Sequence, residues 1–247
     1  MRRVLPIPGA APIGELTQGG PHAKSRAMKR LLRKLFLLGL LAAGAVVAYG
    51  ASGFLAARSE ALALRDRADA LIAAEQGGAA LGPGRQAQLL EVQDPGFLRH
   101  GGVDLISPGA GATTITQALA QRLDAGPLPP EIDRIRQIGF AFGLETRLEK
   151  AQILALWLDE AEMGRGPEGM MTGFFDTART VYGKPPQELT QEEYLSLVAV
   201  MIAPGRYSLQ APGPALEERR DRIALLVSGK CRPAGHDDVW LEGCDQS

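Results

Sequence analysis

The sequence predicts a mainly α-helical protein whose folded domain follows a single N-terminal transmembrane helix. The uncharged apolar run at residues 35–57 is long enough to cross the hydrocarbon core of a bilayer as a helix. Several later segments carry apolar residues at helical spacing, and residues typical of helix ends flank them. The sequence shows no convincing alternation of apolar and polar residues, which a half-buried strand would require.

The composition argues against several classes of function. The formal net charge is -1, so the charge of the whole chain does not favour binding to a polyanion. Aromatic residues make up only 5%, so stacking platforms for single-stranded nucleic acid are not expected. The histidines His22, His100 and His236 are far apart, and the two cysteines lack a zinc-site spacing. We therefore predict no nucleic-acid partner and no metal site.

The charges that flank the apolar run predict its orientation. Residues 1–23 are rich in proline and glycine, and residues 24–34 carry basic side chains without an acidic one. Because positive charge favours the cytoplasmic side, residues 1–34 are predicted to form a disordered, basic cytoplasmic tail. The chain after Arg58 is then exported, and the protein is predicted to be a single-pass protein of the inner (cytoplasmic) membrane.

Two points about the N-terminus stay open in the sequence. Met1 and Met28 are both compatible with the start of the chain, because a compact signal-anchor pattern begins at Met28. A cleavable signal peptide, cut near Ala48 and Ala51, is the alternative to an anchor. The length of the apolar run exceeds that of a typical signal-peptide core and favours the anchor.

Residues 58–85 are predicted to form a helical spacer and a hinge. One helical face collects Leu64, Ala68, Leu71 and Ile72, and the glycine-rich stretch "GGAALGPGR" then breaks the helix. The folded domain is expected to begin near Gln86 and to continue to residue 230.

The last residues, 231–247, are predicted to form a tail with a disulfide loop. Cys231 and Cys244 would both lie outside the cytoplasm, where a disulfide persists. Two unpaired thiols are the alternative.

The predicted domain consists of helices with recognisable ends. Asp94 followed by Pro95 predicts an N-cap and a first-turn proline, and Thr190 with Glu193 predicts a capping box. Apolar residues at helical spacing predict helices at 132–144, 149–162, 192–203 and 215–229. Trp157 is expected to face the core.

Five segments resemble, in order, the motifs of family 51 glycosyltransferases, the peptidoglycan transglycosylase domains of penicillin-binding proteins and of monofunctional transglycosylases. These segments are "QDPGFLRHGG" (93–102), "GATTITQALAQ" (111–121), "DRIRQ" (133–137), "LETRLEKAQILALWLDEAEMG" (144–164) and "ARTVYGKPPQELTQEEYLSLVAVMIAPGRYSL" (178–209). The resemblance covers residues 86–230. It implies a lysozyme-like helical domain at the outer face of the inner membrane, where the family polymerises lipid II.

The resemblance also implies where the chemistry would occur. In the family, a sugar hydroxyl attacks the anomeric carbon of the growing glycan and the lipid pyrophosphate leaves. Such a reaction needs a general base and positive charge near the leaving group. Gln93 and Gln137 stand at the positions of the family's two glutamates. Asp133 and Arg134 stand at its basic pair, with Asp133 reversing the sign.

An amide at both positions weakens the expectation of catalysis. An amide has no site that titrates near neutral pH, and loss of general-base assistance typically costs about 10²–10⁴ in rate. Asp94 is a possible substitute base, although the following Pro95 favours a capping role. No cofactor is expected, and a divalent metal at the pyrophosphate is expected only if the protein is active.

Other residues are expected, from the resemblance, to bind substrate. They are His100, Thr113, Thr114, Thr116, Gln117, Arg122 and Arg134. The hydroxyls stand near a helix N-terminus, where they can donate to sugar or phosphate oxygens. The alternative is that one threonine caps the helix while the others pack.

Two segments depart from the family pattern. The connection at residues 103–110 is shorter than the family's jaw region, which borders the donor groove, so donor binding is in doubt. Residues 164–184 contain an insertion whose role the sequence does not indicate. The sequence therefore leads to three hypotheses. The chain binds lipid II or nascent glycan without turnover, or it is an active transglycosylase with a substitute base, or it is a scaffold for other cell-wall synthesis proteins.

Overall fold

The computed structural model describes residues 21–124, 126–166 and 169–245. The described chain is mainly helical, which confirms the predicted fold class. The helices are α1 Pro21–Ala73, α2 Arg85–Gln93, α3 Ile115–Leu123, α4 Pro130–Glu145, α5 Lys150–Glu160, α6 Phe174–Tyr182, α7 Gln191–Val200 and α8 Pro214–Val227. Single turns of 3-10 helix occur at Gly78–Leu81, Pro186–Glu188 and Glu242–Cys244.

The chain divides into two compact units, with the boundary between Ala45 and Val46. The described part of the first unit belongs to α1, and its large apolar side chains, such as Phe36 and Leu41, are exposed. Judged by length and composition, this is a helix that could cross a membrane, with a window of mean hydropathy 2.0 that is not buried. Residues 1–20 of the predicted cytoplasmic tail lie outside the described residues, and residues 21–34 are helical.

The second unit includes the part of α1 that the sequence analysis interprets as a spacer. Ala61, Leu64 and Ala68 are buried in the main hydrophobic core, and Leu81 from the predicted hinge is fully buried. Ile72 is an exception to the predicted face, because 40% of it is exposed. The folded domain therefore extends further towards the N-terminus than the predicted boundary near Gln86.

Small residues let the backbones of α1 and α4 come into contact. A Cβ atom on Gly139 would lie 1.9 Å from the Gly50 carbonyl oxygen, and one on Gly53 would lie 2.1 Å from the Arg136 carbonyl oxygen. Only glycine permits such an approach. The end of the apolar run 35–57 thus packs against the domain, which the sequence pattern did not indicate.

The centre of the second unit is α5. Ile153, Leu154, Leu156 and Leu158 are at most 1% exposed, which is typical of a helix that is apolar on all sides. Trp157 is also buried, as predicted. The helix is surrounded by α3, α4 and α6.

The predicted capping box at the start of α7 is present. The Glu193 amide donates to the Thr190 hydroxyl at 3.2 Å, and the Thr190 amide donates to the Glu193 carboxylate at 2.7 Å. The helix ends at Val200, however, before the predicted stop at Pro204.

Two predictions about local structure are wrong. Asp94 does not start a helix, since it follows the last residue of α2. An antiparallel hairpin is also present, formed by β1 Glu162–Gly166 and β2 Gly169–Thr172. Its strands are short and glycine-rich, so they carry too few side chains to show an alternating pattern. The hairpin occupies part of the insertion at 164–184.

Candidate functional site

The threonine-rich segment begins α3, and most of its polar groups serve the fold. The Thr114 hydroxyl accepts a hydrogen bond from the Gln117 amide at 3.1 Å, and the Gln117 side chain accepts one from the Thr114 amide at 3.0 Å. This reciprocal pair is a capping box. The Thr114 hydroxyl also donates to the Gly102 carbonyl oxygen at 2.7 Å. Thr114 therefore holds the loop before α3 as well as the helix itself.

Thr116 is fully buried and belongs to a polar network behind the surface of the site. Its hydroxyl donates to the Glu145 carboxylate at 2.6 Å, and the Lys150 ammonium donates to the same carboxylate at 2.7 Å. The Lys150 ammonium also donates to the His100 carbonyl oxygen at 2.8 Å. Each hydrogen bond joins a different segment, so the network fixes the position of α3 relative to α4 and α5.

Asp94 and His100 form a second buried pair. Both carboxylate oxygens of Asp94 lie 3.0 Å from His100 Nε2, and Oδ2 accepts a hydrogen bond from the Ile115 amide at 2.9 Å. His100 Nδ1 accepts from the Gly102 amide at 3.0 Å, so Nε2 carries the proton and donates to Asp94. Burial raises the pKa of the Asp94 carboxyl. Asp94 thus caps α3 from a distance instead of starting its own helix.

A cavity of about 460 Å³ opens beside this framework. We call it the larger cavity, because a second, smaller cavity of the site shares part of its lining. It is lined by α3 and the segment before it, the ends of α2 and α5, the start of β1, α8 and the chain between α7 and α8, and the C-terminal loop. Its polar and charged lining residues are Gln93, Thr113, Gln121, Arg122, Glu160, Glu162 and Arg219.

Gln93, the last residue of α2, lines the larger cavity. The side chain is half-buried, and Nε2 donates to the Val198 carbonyl oxygen at 3.0 Å. A carboxylate has no N–H group and could not make this contact. The surroundings of Gln93 therefore suit an amide.

A smaller cavity of about 260 Å³ has Thr113 and Gln121 in common with the larger one. Gln137 and Arg134 line it from α4, together with Gln117 and Glu131. Arg134 donates to the Ala112 carbonyl oxygen at 2.9 Å and reaches Thr113 Oγ1 at 3.4 Å. The two cavities thus bring the positions of Gln93 and Gln137 to the two sides of Thr113.

Most charges that line the larger cavity are already paired. Arg122 forms an ion pair with Glu162, and this contact lowers the pKa of the Glu162 carboxyl. Glu160 forms an ion pair at 2.5 Å with Arg67 of α1. Arg122, a predicted substrate-binding residue, is therefore engaged with a carboxylate at the edge of the cavity.

Asp133, the sign reversal noted in the sequence, faces away from the cavities. It is buried, and it accepts hydrogen bonds from the Tyr49 hydroxyl of α1 and, at 3.2 Å, from the Leu128 amide. Its negative charge serves the contact between α1 and α4.

One group of residues has the composition of a small metal site. Asp94, His100 and Asp104 bring their donor atoms within 4.8 Å of one another. Asp104 also accepts from the Ile106 and Ser107 amides, both at 2.9 Å. Although burial opposes it, hydrogen bonds from Ser107 and the Ile106 amide lower the pKa of Asp104 to about 2. The Asp104 carboxylate thus already holds the loop after His100. The spacing of these three residues in the sequence did not indicate the cluster.

The family profile described as Transglycosylase matches residues 79–227, more than half of the chain. The chain belongs to the transglycosylase family.

Curated relatives agree with this assignment. Penicillin-binding protein 1B of Vibrio cholerae serotype O1 is 26% identical over 152 residues, which are 56% of this chain and 20% of that relative. The biosynthetic peptidoglycan transglycosylase of Rhodopseudomonas palustris is 26% identical over 174 residues, 66% of this chain and 71% of the relative. The corresponding protein of Escherichia coli O81 is 32% identical over 110 residues, 44% of each chain.

The region matched to the transglycosylase family contains nearly all of the lining of both cavities, but it ends before the C-terminal loop. That loop is closed by a disulfide between Cys231 and Cys244. The Gly109 amide donates to the Gly235 carbonyl oxygen at 2.8 Å, and the Gly111 amide donates to the His236 carbonyl oxygen at 2.9 Å. The loop is therefore held against the connection between α2 and α3, and its Val239 lines the larger cavity.

The structure separates the predicted site residues of this transglycosylase-family chain into two groups. Six line a cavity: Gln93, Thr113, Gln117, Arg122, Arg134 and Gln137. Asp94, His100, Thr114 and Thr116 form the buried framework behind them, and none of these four lines either cavity.

Sequence reasoning missed Glu160, Glu162, Arg219 and Val239 as lining residues. The charged segment "DEAE" after a strongly apolar helix was a signal for the two glutamates. Arg219 lies in an ordinary amphipathic helix, and its position gave no such signal.

Proposed function

We propose that this chain is a membrane-anchored member of the transglycosylase family that binds lipid II or nascent glycan, with catalysis impaired. The names of its relatives, peptidoglycan transglycosylase among them, support a peptidoglycan ligand. The apolar part of α1 supports an anchor in the cytoplasmic membrane. By the positive-inside rule the N-terminus lies in the cytoplasm and the folded domain outside it.

The observation that carries the proposal of impaired catalysis is the environment of Gln93. Gln93 lines the larger cavity, and its amide donates to the Val198 carbonyl oxygen. An amide at this position can hold a sugar hydroxyl by a hydrogen bond, but it cannot remove the proton. Gln137 places a second amide in the smaller cavity.

The carboxylates at or beside the larger cavity are poorly suited to replace the missing base. Glu162 and Glu160 are held in ion pairs, and Arg122 lowers the pKa of Glu162, which makes it a weaker base. Asp94 is 1% exposed and bound to His100 and the Ile115 amide. These contacts favour binding without turnover over the alternative of an active enzyme with a substitute base.

Purified full-length protein in detergent micelles tests the proposal. Lipid II binding would be measured by fluorescence of a labelled lipid II, and polymer by gel electrophoresis. The variants are the double change Gln93→Glu/Gln137→Glu and, as a matched control, Gln210→Glu on an exposed loop. We expect the unaltered protein and the control to bind lipid II without making polymer, and the double variant to produce polymer.

Two results would contradict the proposal in different ways. Polymer from the unaltered protein would show an active enzyme. Absence of lipid II binding by the unaltered protein would reject the ligand and leave the scaffold for other cell-wall synthesis proteins as the remaining hypothesis.

A further inference from the structure

Arg219 is a buried cation with unused hydrogen-bond donors. It lies on α8, is 3% exposed, and lines the larger cavity. Its Nε and Nη1 atoms are buried and have no hydrogen-bond partner among the described residues. Buried charges in proteins are normally paired, because leaving them without partners carries the full penalty of removing them from water.

The carboxylate of Asp238 does not supply the missing partner. Asp238 of the C-terminal loop is close enough to influence Arg219 electrostatically. Its oxygens, however, accept from the amides of Ala234, Glu242 and Gly243, at 2.8, 2.7 and 3.0 Å. Burial lowers the pKa of Arg219 to about 10, so the guanidinium stays charged at neutral pH.

The other charged side chains that line the larger cavity are held in ion pairs. Arg122 is paired with Glu162, and Glu160 is paired with Arg67. Among the described lining residues, Arg219 is therefore the charge without an ion-pair partner. The neutral side chains Gln93, Thr113 and Gln121 line the same cavity and can hydrogen-bond to sugar hydroxyls.

We propose that Arg219 is the anion-binding residue of the larger cavity and that it takes a phosphate or carboxylate group carried by a sugar. A guanidinium can donate two parallel hydrogen bonds to either group. The inference rests on the proposed function, because it assigns an anchor within the same site. It differs from the sequence-based expectation, which gave this role to Arg122 and Arg134.

A role of Arg219 in binding and a role in the fold predict opposite effects on the stability of the protein without ligand. If Arg219 serves binding, its unsatisfied donors lower the stability of the protein without ligand. An apolar side chain of similar length should then be tolerated or even stabilising. If Arg219 instead stabilises the fold, the same substitution should lower the melting temperature.

The test compares the full-length protein with Arg219→Met and with the control Arg220→Met. Arg220 is the next residue of α8, but it pairs with Glu192 at 2.6 Å and does not line the cavity. Three probes would be titrated: lipid II in detergent micelles, lipid-free glycan strands that carry peptide stems, and neutral chito-oligosaccharide. Melting temperatures would be recorded without ligand.

We expect Arg219→Met to weaken binding of an anionic probe by about tenfold or more, because a hydrogen bond to a charged group is lost. Its melting temperature should equal or exceed that of the unaltered protein, and chito-oligosaccharide binding should not change. If Arg219→Met binds only lipid II more weakly, the anion is the pyrophosphate. If it binds both lipid II and the lipid-free strands more weakly, the anion is a carboxylate. The control should behave like the unaltered protein.

Equal affinities of the unaltered protein and Arg219→Met for both anionic probes would overturn the inference while leaving the proposed function intact. Failure of the unaltered protein to bind any probe would reject both. Should Arg219→Met not fold, Arg219→Lys serves instead, since it keeps the charge but loses the planar pair of donors. An unchanged affinity in that variant would also overturn the inference.

Discussion

At the scale of single residues, Thr113 and Thr116 carry the same hydroxyl in different surroundings. Thr113 is exposed and lines both cavities. Thr116 is fully buried and donates to Glu145 at 2.6 Å. Thr116 therefore fits the alternative that these threonines cap and pack, whereas Thr113 lies where the predicted contact with substrate would be possible.

The same substitution at both positions should separate stability from binding. Thr116→Val leaves the Glu145 carboxylate without one donor, so we expect the free energy of unfolding to fall by about 1–3 kcal/mol. Thr113→Val should change it by less than about 0.5 kcal/mol but weaken lipid II binding. Urea denaturation and a lipid II titration measure the two effects. A larger stability loss for Thr113→Val than for Thr116→Val would contradict the assigned roles.

At the scale of secondary-structure elements, the contact between α1 and α4 depends on residues without side chains. Gly139 approaches Gly50 so closely that a methyl group would overlap its carbonyl oxygen. The helical periodicity of α4 predicts the helix correctly, whereas the role of its glycines depends on which helix lies opposite.

Gly139→Ala should therefore destabilise the second unit although alanine favours a helix. We expect a loss of about 1–3 kcal/mol from overpacking, which outweighs the gain of up to about 1 kcal/mol in helix propensity. Gly44→Ala is the matched control, because a Cβ atom there meets nothing within 4 Å. Thermal unfolding in detergent gives the comparison. Equal melting temperatures for the two variants would mean that the helices do not touch as described.

At the scale of the whole molecule, the C-terminal loop joins a segment outside the family match to the wall of the larger cavity. Its Gly235 and His236 carbonyl oxygens accept the amides of Gly109 and Gly111, and Ser107 contacts His236 Nδ1 through its carbonyl oxygen at 3.0 Å. The loop thus supports the connection between α2 and α3.

The double variant Cys231→Ser/Cys244→Ser should loosen this support. Loss of the cross-link is expected to lower the free energy of unfolding by about 2–3 kcal/mol. Hydrogen exchange of the Gly109 and Gly111 amides should accelerate more than that of the Ala118 amide, which bonds within α3. Equal acceleration at all three amides would mean that the loop does not support the connection locally.

Local sequence was sufficient for those features that depend on neighbours a few residues away. The apolar period located most helices of the domain, and Thr190 with Glu193 predicted a capping box that is present. The order of the motifs led to the family that the profile match shows. The prediction that Asp94 caps a helix beginning at Pro95 was wrong, because its carboxylate binds the amide at the start of α3, which is distant in sequence.

The sequence by itself determined the helical class, the apolar N-terminal helix and the family of this protein. Only the tertiary structure decided which polar residues reach a cavity. It placed Gln93 and Thr113 at the surface of the site, buried Thr116 behind them, and left Arg219 at the larger cavity with Nε and Nη1 unpaired among the described residues. The physical reason is that helix formation depends mainly on residues within one or two turns, whereas burial and pairing depend on which elements meet.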